Sequence, residues 1–153
     1  MNPQYSGSFA AIAIMMIVVG MGIPVTAALN SVLGTHLNNP VAASTILFGF
    51  GFILTALILG FFGLPARQEF VTVPLWSYAA ALGVVFYVLA VTWSAPRIGV
   101  GNAIFFVLLG QLIAAATIDH FGLFGALKTA LTPRRALGLL VLALGVYLAK
   151  KSK

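Results

Sequence analysis

The chain has 153 residues, of which 61% are hydrophobic and 7% charged, with a formal charge of +6 and a mean hydropathy of +1.12. Soluble domains carry about a quarter charged residues, so this chain cannot cover itself with a water-compatible surface, whereas its apolar exterior suits lipid. It has no cysteine, which excludes disulfides, thiolate metal sites and cysteine nucleophiles.

Eight Lys and Arg stand against Glu69 and Asp119. They fall one to three at a time between apolar blocks, without the basic, aromatic-bearing face that nucleic acid requires. The lipid bilayer is therefore the predicted partner, and nucleic acid is not. No Lys or Arg precedes the first apolar run. That run, from Phe9 to Leu33, is too long for a signal-peptide core, so it is predicted to stay as a first span.

Five segments reach the roughly 20 helical residues that cross a hydrocarbon core of about 30 Å. They lie near 8–34, 40–63, 74–95, 99–121 and 134–150. Asn39 before Pro40 and Thr132 before Pro133 each read as a helix N-cap followed by proline at the first helical position. Pro96 and Gly99 bracket Arg97 in a tight third connection, and Trp76 and Trp93 mark opposite ends of the third span. The apolar runs are continuous rather than alternating, which argues against a transmembrane barrel. The predicted fold is an all-α integral membrane protein, one domain over 1–153 built as a bundle of five transmembrane helices.

Five spans place Arg67, Lys128, Arg134 and Arg135 on one side of the membrane. Arg97, Lys150, Lys151 and Lys153 fall on the other. Positive charge near span ends normally holds a loop in the cytoplasm, and here neither side is favoured. This balance predicts dual topology, with two opposed copies pairing as an antiparallel homodimer. The alternative is one orientation, set by a dominant cluster such as the C-terminal lysines.

Polar groups within spans cost several kcal/mol unless partnered. Gly22, Thr26, Asn30 and Gly34 recur every four residues along the first span, with Pro24 among them. Similar stripes run through Thr45, Gly49, Phe52, Ala56 and Gly60 in the second span, and through Ser77, Ala80, Gly83, Tyr87, Ala90 and Ser94 in the third. Gln111, Ala115 and Asp119 form a stripe in the fourth. The small residues read first as packing positions. Asn30, Tyr87 and Gln111 either bond one another across helices or line a polar cavity, the usual setting of a membrane small-molecule site. Asp119 lies near a helix end, where it caps the loop, pairs with Arg134 or Arg135, or takes up a proton in a coupling step. His36 reads as a solvated loop residue. Gly138 and Gly145 form a small-residue heptad face suited to a close helix pair, within or between protomers. Two histidines and two acids, widely spread, make no metal constellation, and no cofactor motif is present.

Three stretches carry a resemblance. They are Gly22 to Asn30 (GIPVTAALN), Pro96 to Gly99 (PRIG), and Gly110 and Gln111 together with Ile118 to Gly122 (IDHFG). With five spans in this length, the chain resembles the YdcZ-like family of the drug/metabolite transporter superfamily. The resemblance implies a bundle of short inverted units in the bacterial cytoplasmic (inner) membrane, and it implies no substrate. Relatives often carry a glutamine near the position of Thr26. The superfamily also includes small multidrug resistance transporters, antiparallel dimers with a carboxylate in the first span. This first span has no acid, so proton-coupled cation export by that chemistry is not supported.

The expected function is a small transporter, not an enzyme, that moves a small neutral or zwitterionic metabolite by alternating access. Thr26, Asn30, Tyr87 and Gln111 would bind the substrate, and Asp119 and His120 would gate or couple. The alternatives are a non-transporting assembly or regulatory subunit, and half of a heterodimer with an oppositely inserted paralogue.

Overall fold

The computed structural model describes residues 3–149, and Lys150, Lys151 and Lys153 lie outside them. Among the described residues there are helices and turns and no strand. The helices are α1 (Pro3–His36), α2 (Pro40–Phe62), α3 (Arg67–Thr72), α4 (Ala80–Ile98), α5 (Val100–Phe121) and α6 (Pro133–Ala149). One 3-10 turn, Leu75–Ala79, leads into α4 and another, Leu123–Gly125, follows α5. Four stretches are long and apolar enough to cross a membrane: Phe9–His36, Pro40–Phe62, Leu75–Ile98 and Val100–Phe121. Helix α6 has 17 residues, about 26 Å of helix, against a core of about 30 Å.

The chain folds as two compact units, residues 1–97 and 98–153. In the first, α1 and α2 form a hairpin whose turn follows from its residues. Asn38 takes a left-handed conformation (φ 48°), which asparagine tolerates better than most residues. Asn39 is extended, and its side-chain oxygen accepts from the backbone N–H of Val41 at 3.0 Å and of Ala42 at 3.1 Å. Pro40, at the first helical position, has no N–H to satisfy. The predicted cap is therefore present. Thr132 caps α6 likewise, with its Oγ1 accepting from Arg135 N–H at 3.2 Å.

The third span runs further than the sequence predicts. Helix α4 passes through Pro96 and ends at Ile98, before Gly99 at φ 86°. A proline in the last turn forfeits one hydrogen bond without ending the helix, whereas the left-handed glycine does end it. Arg97 therefore sits on the helix, 4.0 Å over the Trp93 ring and bonded to the Trp93 carbonyl. The connection before this span also contains α3, whose Glu69 Oε2 accepts from Ala66 N–H at 3.0 Å.

The buried residues of the first unit are small or medium-sized. They are Ala27, Asn30 and Ser31 on α1, Ala43 and Ser44 on α2, and Val91, Thr92 and Ala95 on α4. No large side chain is fully buried among the described residues, and Phe61, Phe62 and Phe86 point outward. That distribution suits a lipid exterior, where helix contact depends on close packing rather than on apolar burial.

Gly34 marks the tightest approach. A β-carbon there would lie 3.0 Å from Thr92 Cγ2 and 3.7 Å from Ala43 Cβ. Gly34→Leu should therefore cost roughly 2–3 kcal/mol through overpacking, read as a lower thermal midpoint in detergent. Gly49→Leu, at a position with open space around it, should be tolerated in the same measurement.

Candidate functional site

A cavity of about 340 Å³ opens within the first unit between α1, α2 and α4. It lies in the range of small-molecule sites. Helix α1 contributes Gly22, Thr26 and Asn30, one turn apart, so the four-residue stripe becomes one wall. Leu47 of α2 closes a side, and Tyr87, Val88, Val91 and Thr92 of α4 form the opposite wall. None of the lining residues is ionisable except the phenol of Tyr87.

The polar end of the cavity is built by three helices. Asn30, 4% exposed, donates from Nδ2 to Thr92 Oγ1 at 2.7 Å and to Ser44 Oγ at 3.5 Å. Thr92 Oγ1 in turn donates to the Val88 carbonyl at 2.7 Å, and Ser44 Oγ to the Pro40 carbonyl at 2.9 Å. Thr92 also lines a second, more polar groove of about 470 Å³ with Gly34, Asn38, Trp93 and Arg97. The Asn30–Thr92 bond thus stands where the cavity within the span meets the groove at its end.

Of the four residues predicted to bind substrate, Thr26, Asn30 and Tyr87 come together on this cavity. Gln111 belongs to the second unit, exposed on α5 and without a hydrogen-bond partner among the described residues. Thr92 and Ser44 escape the sequence reading. A depth count signals them: Asn30 and Thr92 lie six residues before the ends of α1 and α4, and Ser44 four residues into α2. All three therefore sit about 6–9 Å inside the same edge of the unit.

The second unit holds Asp119 and His120 at the end of α5. Asp119 Oδ2 pairs with Arg135 Nη2 at 2.6 Å, each side chain about a third exposed (36% and 35%). His120 Nδ1 accepts from Leu131 N–H at 2.9 Å, and the Asp119 carbonyl accepts from Thr129 N–H at 2.8 Å. Gly122, at φ 63°, caps α5 with its N–H on the Ile118 carbonyl. A β-carbon there would meet Lys128 Cβ at 3.4 Å. These residues fasten the connecting loop and the start of α6 to the end of α5. Gly138 and Gly145 lie on α6 with open space beside them. Among the described residues no three His, Asp or Glu side chains converge on a point that would hold a metal ion.

A family model described as "Putative inner membrane exporter, YdcZ" matches residues 11–148. The resemblance carried by three short stretches thus extends over all but the ends of the chain. Export is not an enzyme activity. No curated protein and no solved structure matches the chain.

The loop fastening has a measurable consequence. In His120→Ala the Leu131 amide should exchange with solvent about five- to tenfold faster, as expected for one lost hydrogen bond. The Thr129 amide, held by a backbone carbonyl, should stay protected. Asp119→Asn should lower global stability by no more than about 1 kcal/mol, because the ion pair is partly solvated.

Proposed function

Because the chain belongs to the YdcZ family, we propose that it exports a small neutral or zwitterionic metabolite as an antiparallel homodimer of five-span subunits. The observation that carries this reading is the uncharged cavity of about 340 Å³ inside a membrane-spanning helix trio. A packed bundle with no cargo has no need of such a space. Thr26, Asn30 and Tyr87 hold the substrate, and Thr92 lies on its route to the groove at the membrane edge. Gln111 completes the polar set in the assembled dimer. An amide left in hydrocarbon costs several kcal/mol, and a second copy is one source of the partner it lacks. Asp119 and His120 act at the loop end, where breaking the Arg135 pair would loosen the start of α6.

Alternating access then requires no internal repeat within one chain. Two opposed, identical subunits exchange conformations, and each state is the mirror of the other in energy. The charge count supports this when α6 is a span, with four basic residues on each side. If α6 does not cross, Arg67, Lys128, Arg134, Arg135 and the three C-terminal lysines share one side, against Arg97 alone. A single orientation follows in that case, and the chain needs an oppositely inserted partner or serves as a subunit of another membrane assembly.

The absence of native cysteine makes the test clean. Ser152→Cys should label from outside intact cells with an impermeant maleimide to about half the extent reached after permeabilisation. All-or-none labelling would remove the antiparallel homodimer and leave the opposed-partner reading. In reconstituted vesicles, Asn30→Leu and Gln111→Leu should each reduce metabolite flux by at least about tenfold, as for removal of a polar contact in a dry site.

A further inference from the structure

The hydrogen-bond arrangement around Asn30 fixes which way its amide faces, and that orientation restricts what the cavity accepts. A hydroxyl has one proton to donate. Thr92 Oγ1 donates to the Val88 carbonyl at 2.7 Å and Ser44 Oγ to the Pro40 carbonyl at 2.9 Å. Toward Asn30 both hydroxyls are therefore acceptors, and only the NH₂ end of the amide satisfies them, at 2.7 and 3.5 Å. A flipped amide would set its oxygen against two oxygens that have no proton to share. The carbonyl end, Oδ1, is consequently on the other side.

Oδ1 accepts no hydrogen bond among the described residues. No sealed side-chain oxygen or nitrogen is left unpartnered among those residues either, so Oδ1 is not shut inside the protein. Asn30 lines the cavity of about 340 Å³ and does not line the groove at the membrane edge. Its oxygen thus opens on the cavity from a residue that is otherwise 4% exposed. The Thr26 and Tyr87 hydroxyls can each donate or accept, and so discriminate little. Asn30 Oδ1 only accepts. No fixed charge lines the space, so a cation, an anion or a zwitterion would enter with its charge uncompensated.

We infer that Asn30 Oδ1 is the specificity-determining contact of the cavity, and that the cavity selects neutral, largely apolar molecules bearing an N–H or O–H donor. The inference rests on the proposal that this cavity is the substrate site, and it narrows the substrate class to exclude zwitterions. Thr92 and Ser44 are positioning residues that hold the amide in its accepting orientation. A molecule of the same shape without the donor leaves Oδ1 dry and unpaired, so it is rejected more strongly than its lost contact alone implies.

The test uses indole, which has one N–H donor, and benzofuran, its near-isostere with an oxygen in that place. Binding of each to the purified full chain in detergent is measured by ligand-observed NMR, for the unaltered protein and for Asn30→Leu and Thr92→Val. Comparison across proteins in one detergent removes the difference in micelle partitioning. Indole should bind the unaltered protein about tenfold tighter than benzofuran. Asn30→Leu should bring the two within about twofold. Thr92→Val, which frees the amide to turn, should narrow the preference, and it keeps the test open should Asn30→Leu not fold. Equal binding of the pair, a preference that survives both substitutions, or no binding of either would overturn the inference. Flux is scored separately in vesicles. Donor preference without flux of any metabolite would sink the export reading and leave the cavity's selectivity standing.

Discussion

Hydrocarbon supplies no hydrogen bonds, so an amide carried into a span must be met by protein. Asn30 is the residue on which this constraint falls most heavily, and much of the first unit can be read as its consequence. Its NH₂ group reaches α4 through Thr92 and α2 through Ser44. Both hydroxyls are already anchored to their own helices, so the three helices are joined at one depth by directional bonds. The bonds demand close backbones, and Gly34, Ala43 and Ala95 around them are the small residues that permit it. The hairpin cap at Asn39 brings α2 back at the register that sets Ser44 beside Asn30. Further along the same helices the packing loosens and the cavity opens.

The second unit follows a different logic, because its polar residues lie at a helix end rather than inside one. Asp119, His120 and Gly122 belong to the IDHFG stretch that carries the family resemblance, and each has a separate mechanical task. The carboxylate takes Arg135, the imidazole takes the Leu131 amide, and the glycine supplies the left-handed backbone that turns the chain. Phe121 meets the His120 ring edge-on at 4.7 Å. The motif is therefore fully engaged as a fastening between α5 and α6.

The sequence makes the helices legible because lipid imposes continuous apolar runs and because Asn39-Pro40 and Thr132-Pro133 are strong start signals. It misplaces the end of the third span because proline is a weaker stop than a left-handed glycine when it sits in a last turn. Helix α3 goes unread, since six residues in a short connection show no usable period. Within the site, the α1 stripe is legible because Thr26 and Asn30 are polar in an apolar helix. The face of α4 is not. A search for small residues picks out Ala90 and Ser94, whereas the buried positions are Val91, Thr92 and Ala95. Helix α1 offers Ala27 and Gly34 opposite them, and where one helix is small its neighbour can be larger. Size complementarity belongs to a pair of helices, and a stripe read on one helix cannot reveal it. Thr92 is hidden further by its bond to the Val88 carbonyl, because a threonine satisfied within its own helix gives no sign that it needs a partner.

Helix α6 carries a weight in the mechanism out of proportion to its 17 residues. Orientation depends on the parity of spans, so one marginal helix decides whether the eight basic residues divide seven to one or four to four. A length near the minimum for crossing is a poor anchor by itself, and the start of α6 is tied to α5 through Arg135 and Leu131. Those bonds hold the first turn of the helix at the level where α5 ends, which is the membrane edge if α5 spans fully. From that level α6 offers about 26 Å of helix, with Arg134 and Arg135 in its first turn, against a core of about 30 Å, and a locally thinned bilayer would cover the shortfall at modest cost. The fastening at the end of α5 thus bears on topology as well as on loop order. Loosening it would weaken the placement of α6, on whose crossing an even charge balance depends.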